Sequence, residues 1–428
     1  MSDKGNLKKL TPKPALKIAI LSTTFLPDLG GIQILLDWQM KSLEENFDLL
    51  RREFNIESVM ILLPKRFETS PKETPGPVSR KYFDFAPSPW GFLRGSWQIR
   101  RILREGEVNV IHGHNVAIDG LLASYHRATN GAVKILTSHG GDLASMPEFD
   151  FGLRRTIRGR IATKIALTNT DKLVADGQAV KNLALAFFPE ENIHVIRPMF
   201  LDESESRYLS KKSSNLPNVD DTDLVILTLG GSRKIKGHHN LLLAFAQFSR
   251  DRVRTKLFIG AAGPEIEELR ALARQLGVEK KVFFIGNVFG AEKDAWFQRA
   301  DIYANTSFYE AFGLTSLESI ASDTAVLASN VGGLSETFTH FQDGYLIDPY
   351  SVGSICDGFE YLAIAENRNR LTSQAKEILI RHQPLNFLID HLELYSNAVE
   401  AALSAPLPPP SPGRIFRRTR SQLRPGVG

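Results

Sequence analysis

The chain has 428 residues, 43% apolar and 23% charged, with a formal net charge of +4. That length sets an expectation of two or three domains with enough apolar material for more than one core. The charge is too small to imply nucleic acid, the single Cys356 excludes a disulfide framework and a cysteine-based metal site, and no segment reaches the ~20 apolar residues of a membrane helix.

The first residues, Met1-Ser2-Asp3-Lys4-Gly5, lack the apolar run of a signal peptide, so the expected location is the cytoplasm, either in solution or peripheral at the inner membrane surface. Residues 1–16 read as a basic tail. From there short apolar, β-branched runs alternate with longer helix-like segments. Over 17–202 strands are predicted at Lys17–Leu21, Ser58–Leu63, Tyr82–Phe85, Val108–His112, Lys134–Thr137, Lys172–Ala175 and His194–Arg197. Between the third and fourth runs, Pro89–Arg104 mixes aromatic and basic residues, with Trp90, Leu93 and Trp97 on one helical face and Arg94, Arg101 and Arg104 also at helical spacing. The ordinary reading packs those aromatics on the sheet. The alternative lays a basic amphipathic helix on an anionic membrane surface.

Residues 203–223 form the best linker candidate, with the polar run Ser210–Asn215, then Pro217 and the acidic Asp220-Asp221-Thr222-Asp223, read as surface. Over 224–384 further strands are predicted at Leu224–Leu229, Lys256–Ile259, Val282–Ile285, Asp301–Ala304, Ala325–Ser329 and Tyr345–Asp348. Residues 385–404 read as a helix returning to the first half. Residues 405–428, with consecutive prolines at 408–410 and five arginines from Arg414 to Arg424, read as a disordered tail. Near-continuous apolar strands alternating with helices mean βαβ units. The fold class is therefore α/β, two doubly wound Rossmann-like domains facing a central cleft. Ligands in such sheets sit beyond the carboxyl ends of the strands.

The informative residues follow strands. Ser307-Phe308-Tyr309-Glu310-Ala311-Phe312-Gly313-Leu314-Thr315-Ser316-Leu317-Glu318 follows Asp301–Ala304 and opens a helix. Gly313 permits a close turn, and the amides at Gly313, Leu314 and Thr315 make a positive helix end that can hold phosphate. Glu318 is placed in the first turn, where its two oxygens can accept from both hydroxyls of a ribose. Glu310 sits on the loop before the helix. The plain alternative gives Glu318 the helix dipole to complement and leaves Glu310 solvated.

A second stretch, Gly230-Gly231-Ser232-Arg233-Lys234-Ile235-Lys236-Gly237-His238, follows Leu224–Leu229. Arg233 and Lys236 there can neutralise a departing diphosphate, while Lys234 reads as solvated. Gly30 and Gly31, after the first strand, permit close backbone approach to a ligand. They do not form a G-x-G-x-x-G fingerprint, which argues against a nicotinamide enzyme. His139, in Thr137-Ser138-His139-Gly140-Gly141-Asp142, can donate to a ligand hydroxyl or phosphate, or be structural. His112 and His114 are two apart with no third ligand nearby, so they read as structural and no metal is assigned.

Taken in order, these segments resemble family 4 of the glycosyltransferases, the large retaining group with the GT-B fold, from about Lys17 to about Tyr395. The E-x7-E element matches Glu310 through Glu318, the Gly-Gly loop Gly30-Gly31, and the His-Gly segment His139-Gly140. The base-binding turn resembles Gly286-Asn287-Val288, and the late Gly-Gly-x-x-Glu turn resembles Val331-Gly332-Gly333-Leu334-Ser335-Glu336. The resemblance implies that Arg233 and Lys236 bind the donor diphosphate with the amides of Leu314 and Thr315, that Glu318 holds the ribose, and that Asn287 lies at the base. It places Glu310 toward the transferred sugar, Gly31 against the donor phosphate and His139 near the sugar or acceptor. Three departures stand out: Arg233 lies only three residues before Lys236, Met199-Phe200-Leu201-Asp202 replaces Asn-Gly-Val-Asp, and Asp323-Thr324-Ala325 replaces Gly-x-Pro.

The implied reaction is retaining transfer of a sugar from a nucleotide-diphosphate sugar to an unidentified acceptor, with cations and helix amides in place of a metal and with no cofactor. Two other readings stay open, a nucleotide-sugar hydrolase or epimerase of the same fold, and a non-catalytic nucleotide-sugar-binding protein.

Overall fold

Thirteen apolar runs pair into two all-parallel sheets. The computed structural model describes residues 13–28, 30–68, 76–86, 88–124, 131–201, 216 and 219–404. The first sheet contains β1 (Leu16–Leu21), β2 (Ile56–Pro64), β3 (Val78–Phe83), β4 (Val110–Gly113), β5 (Val133–Ser138), β6 (Lys172–Ala175) and β7 (Ile193–Val195), in the order β3-β2-β1-β4-β5-β6-β7. Its helices are α1 (Gly31–Glu45), α2 (Phe47–Phe54), α3 (Pro89–Glu105), α4 (Ile118–Ser124), α5 (Ile157–Thr168) and α6 (Gln178–Ala184).

The second sheet contains β8 (Leu224–Leu229), β9 (Thr255–Gly260), β10 (Val282–Phe284), β11 (Ile302–Asn305), β12 (Ala325–Ser329) and β13 (Tyr345–Ile347), in the order β10-β9-β8-β11-β12-β13. Its helices are α7 (His238–Phe248), α8 (Ile266–Gln275), α9 (Gly290–Arg299), α10 (Leu314–Ala321), α11 (Gly332–Thr337), α12 (Val352–Ala363) and α13 (Ala365–Arg381). A long last helix, α14 (Pro384–Ser404), follows. Strand order reverses at β1/β4 and at β8/β11, the two places where open α/β sheets form ligand crevices.

Every predicted strand is present, three of them (β6, β8 and β12) with the predicted ends and the others with shifted ones. The largest shift is in β3, which begins at Val78 because it pairs with β2 from Val59 onward. Central strands are buried on both faces, which is why they read as unbroken apolar runs rather than alternating ones.

Helix α14 buries a stripe at three- and four-residue spacing, Phe387, Leu388, His391, Leu392, Tyr395, Ala398 and Val399, against α1, α2 and β5 of the first sheet. One apolar cluster runs from Ile18 and Ile61 through Trp38 and Leu392 to Phe312, Leu317 and Val326 of the second half. The edge of Trp38 meets Phe200 at 5.5 Å where the chain leaves the first half.

Three expectations are corrected. Trp90 and Trp97 do not pack on the sheet but are 82% and 64% exposed. The sheet-facing side of α3 is instead supplied by Gly95, Ser96, Ile99 and Leu103, and Gly95 lies against Phe83. Within the acidic run, Asp220 and Asp221 are exposed, but Asp223 is buried. Its carboxylate accepts from the Asp220 amide at 2.8 Å and pairs with Lys256 Nζ at 2.7 Å. Of the expected linker, 203–215, 217 and 218 lie outside the described residues, as do both tails at 1–12 and 405–428 and Asp202 of the junction. The third correction concerns Glu318 and belongs to the site.

Candidate active site

The carboxyl-end loops of the two sheets meet each other at three points. After β1, Gly31 opens α1 so close to Leu314 that a Cβ there would stand 3.6 Å from its side chain. After β5, Gly140 takes φ +80°, a left-handed conformation that favours glycine, and any Cβ on it would collide with Tyr309 Oη. After β6, the amides of Gln178 and Ala179 donate to the two oxygens of Glu336 at 2.7 and 2.6 Å. Glu336, on α11 of the second half, thus caps α6 of the first. Phe149 stacks on Phe308 at 4.5 Å and Phe151 approaches Tyr309 at 5.6 Å, adding aromatic contacts across the same cleft.

Helix α10 starts at the floor of this cleft. Gly313 precedes it at φ +93°, with Leu334 pressed where a side chain would stand. The Ser316 amide already bonds the Gly313 carbonyl at 2.9 Å, whereas the amides of Gly313, Leu314 and Thr315 have no acceptor among the described residues. These are the open donors of a helix start. Thr315 Oγ1 is held by Tyr303 Oη at 2.6 Å, which fixes the first turn.

Glu318 lies in the second turn of α10, not the first, because the helix begins only at Leu314. It is 3% exposed and its Oε1 accepts from Lys293 Nζ on α9 at 2.5 Å. A buried carboxylate so paired is not an exposed complement to the helix dipole.

Glu310 is not solvated either: its side chain is 18% exposed and Oε2 lies 2.7 Å from Lys236 Nζ. Ser307 Oγ also reaches that oxygen at 3.4 Å. The Glu310 carbonyl accepts from Gly333 at 2.9 Å, and a Cβ on Gly333 would collide with the Ala311 carbonyl, so the Gly-Gly turn is packed under the Glu310 loop. Ala311 packs against an apolar cluster of the first half.

The basic loop is anchored at its apolar residue. Ile235 is buried and its carbonyl accepts from Phe308 at 2.8 Å, which ties this loop to the Glu310 segment. Lys236 turns inward to Glu310, while Lys234 and Arg233 are exposed. Among the described residues Arg233 pairs with no carboxylate, so the structure brings Lys236, and not Arg233, to Glu310. On the far side, Asn287 is exposed on the turn after β10, between Gly286 at φ +74° and the buried Val288.

Three histidines of the first half, His112, His114 and His139, form a stack with His391 of α14. His112 sits 4.5 Å from His114 and 5.3 Å from His391, and His114 is 5.9 Å from His139, centroid to centroid. His112 is satisfied at both nitrogens, by Tyr395 Oη at 2.5 Å and Thr137 Oγ1 at 2.7 Å, which makes it structural. Burial holds His112 and His114 well below the usual 6.5, with the neighbouring rings adding to it. His139 differs. Burial opposes its charge, but the carboxylates of Asp176, Asp142 and Asp119 outweigh that and raise the ring above 6.5. Its Nδ1 is 2.7 Å from Asp176 Oδ2, and its buried Nε2 has no hydrogen-bond partner among the described residues. Among the described residues no group of three or more His, Cys, Asp or Glu side chains is arranged to hold a metal ion. Nor is any helix among them long and apolar enough to cross a membrane.

Sequence reasoning missed Lys293 and gave Glu336 no role. Lys293 carries no local signal, since only the packing of α9 on α10 brings it to Glu318. Asp176 was accessible to the rule already used, because it directly follows the strand Lys172–Ala175.

The family profile described as Glycosyltransferase Family 4 matches residues 56–200, and that described as Glycosyl transferases group 1 matches 210–378. The chain is similar to the D-inositol 3-phosphate glycosyltransferase of Pseudarthrobacter chlorophenolicus, with 28% identity over 281 residues, 62% of this chain and 64% of that protein. Against four such relatives the matched stretch spans 36% to 64% of their length, less than two thirds. Among solved structures, sucrose-phosphate synthase from Thermosynechococcus elongatus superposes with TM-score 0.71 at 18% identity, covering 90% of this chain and 99% of that one. Anabaena HepE in complex with UDP and glucose gives 0.67 at 19%, covering 89% and 99%. At such identities the superpositions show the fold, which is GT-B. With that fold, and with two glycosyltransferase profiles matching consecutive stretches at 56–200 and 210–378, the chain belongs to family 4 of the glycosyltransferases.

Proposed function

We propose that the protein transfers a sugar from a nucleoside-diphosphate donor to an acceptor hydroxyl with retention of anomeric configuration. The observation that carries this reading is the meeting, at one turn, of three features: the open amides of α10, the Lys236–Glu310 pair and the loop of His139 from the facing sheet. A diphosphate leaving group needs fixed positive charge at the oxygen that departs. The UDP and glucose bound by HepE support a nucleotide-sugar donor for a chain of the same fold.

In this reading the bond from the anomeric carbon to the diphosphate oxygen breaks with oxocarbenium-like character, and its electron pair leaves on the diphosphate. The acceptor oxygen bonds to the same face of the sugar, and its proton passes to the departing phosphate oxygen. Arg233, Lys236 and the amides of Leu314 and Thr315 stabilise that oxygen, so no metal is needed. Lys293 orients Glu318 toward the ribose, and Asn287 lies at the base. Gly30 and Gly31 admit the donor to the first sheet's edge. Glu310 faces the sugar, and His139 presents Nε2 to the sugar or acceptor. The protein's contribution is mainly placement and charge.

The test is incubation with UDP- and GDP-sugars, with and without a panel of hydroxyl acceptors, followed by nucleotide release and by the anomeric proton coupling of the product. Nucleotide release that requires acceptor, with the donor's anomeric configuration kept, is the expected result. Release without acceptor makes the protein a hydrolase, and no release makes it a binder. An inverted product overturns the retaining step.

A further inference from the structure

The connections β3–β4, β4–β5, β5–β6 and β6–β7 all cross the first sheet in one direction, so right-handed crossovers place α3, α4, α5 and α6 in a single layer on one face. Contacts of α3 with α4 and of α4 with α5 show that layer to be continuous. More than half of the exposed large apolar side chains among the described residues lie on it or at its edge. On α3 these are Trp90, Leu93 and Trp97, directly opposite the buried Ile99. On α5 they are Ile157, Ile161 and Ile165, at 73%, 54% and 45% exposure, directly opposite the buried Gly159, Thr163 and Ala166. Neither stripe is a side effect of core packing, because each helix already has a separate buried face.

The exposed charges on the two helices are basic with one exception. Helix α5 carries exposed Arg158, Arg160 and Lys164 and no acid along its length. Helix α3 carries exposed Arg94, Arg101 and Arg104 and one acid, Glu105, which is paired with Arg101. Arg94 pairs with Asp84, but both these ion pairs are open to water and leave the surface net positive.

We propose that this α3–α5 layer docks the protein on an anionic lipid surface. Tryptophan is suited to the headgroup level, apolar stripes to the acyl boundary just below it, and interspersed cations to anionic headgroups. A second copy of the chain would set arginine against arginine. Nucleic acid has no use for three outward isoleucines, which neither stack nor hydrogen-bond. None of the cleft residues named above lies on α3 or α5, so the surface stands or falls independently of the donor chemistry.

The experiment uses the full chain with vesicles of phosphatidylcholine alone or mixed equally with phosphatidylglycerol. The chain has four tryptophans, and Trp38 and Trp296 are buried, so a vesicle-induced change in emission reports Trp90 and Trp97. Expected are a blue shift and co-sedimentation with the mixed vesicles only, both reversed by salt, since exposed charges are screened over ~10 Å at 0.1 M. Trp90→Ser with Trp97→Ser should abolish the shift. Arg101→Gln with Arg158→Gln and Arg160→Gln should weaken sedimentation at least tenfold. Ile161→Asp should weaken it similarly, which tests α5 without touching a tryptophan. All are surface positions, so unchanged circular dichroism and melting temperature are expected and show that loss of binding is not loss of fold. Absence of binding to mixed vesicles at low salt overturns the proposal. So does self-association or nucleic-acid binding that the tryptophan variants abolish while vesicles remain unbound.

Discussion

Lys236 Nζ and Glu310 Oε2 stand 2.7 Å apart, so the cation assigned to the diphosphate and the carboxylate assigned to the sugar are each other's partner. A bound donor would share that lysine between its own phosphate and Glu310. Charge-assisted hydrogen bonds of this kind contribute about 1.5–3 kcal/mol. Lys236→Ala is therefore expected to weaken nucleoside-diphosphate binding roughly tenfold or more by the same range, and to lower turnover as well. Glu310→Gln should lower kcat while leaving nucleotide affinity nearly intact. Calorimetric titration of both variants with UDP and GDP checks the split. Normal donor turnover by Lys236→Ala removes the assignment.

The second pair is buried. Glu318 and Lys293 are 3% and 13% exposed, and removing one member leaves the other charged without a partner. Such losses cost about 3–5 kcal/mol. Lys293→Met should lower stability by that order, and adding Glu318→Gln should recover much of it. The recovered double variant should still discriminate poorly between ribose and 2′,3′-dideoxyribose donors, whereas the wild type should prefer ribose. If the wild type binds both donors equally, Glu318 has another task.

Gly140 sits where the two halves touch. Gly140→Ala combines a left-handed backbone with a clash against Tyr309 Oη. A stability loss of about 1–3 kcal/mol and a larger loss of kcat/KM are expected. Tyr309→Phe removes the clashing oxygen, so the double variant should regain part of the activity. An active, undisturbed Gly140→Ala enzyme would mean that the two loops do not close this tightly in solution.

Glu336 is the polar counterpart of that contact. Replacing it with Ala leaves the Gln178 and Ala179 amides without their acceptor, and losing a cap costs about 0.5–2 kcal/mol. The expected result is a larger radius of gyration in solution scattering and a raised KM for donor, with kcat less affected. An unchanged scattering profile counts against a clamping role.

The buried histidines give the pH dependence two signs. Burial lowers His391 from 6.5 to about 4. Between those values the unfolded chain takes a proton that the folded chain refuses, so stability present above pH 6.5 falls as pH drops toward 4. The effect is about 3 kcal/mol, and His391→Asn should reduce that slope in urea titrations without abolishing it, because buried His112 and His114 are lowered as well. His139 is shifted the other way, so its contribution is fully present below 6.5 and is lost as pH rises through its folded value. Asp176→Asn should remove that alkaline limb. An acid slope left undiminished by His391→Asn removes His391 from the account.

The architecture was legible because buried parallel strands such as Leu224–Leu229 and Ala325–Ser329 leave unbroken apolar runs, and their observed ends coincide with the predicted ones. The loop residues Glu310, Lys236 and His139 were legible for a related reason, since each follows a strand and topology brings strand ends together. What stayed hidden depends on packing between distant elements. Nothing near Lys293 announces Glu318, and nothing in Val331–Glu336 announces a helix in the other half. The aromatics of α3 were misjudged because periodicity shows that residues share a face, not which way that face points.

Helix α14 has a consequence for synthesis. The first half of the chain emerges first, yet part of its core, including the Tyr395 hydroxyl that meets His112, arrives only with α14, the last helix among the described residues. The half made earliest is thus finished late, and a ribosome that stops before Pro384 leaves α1, α2 and β5 with their apolar side uncovered.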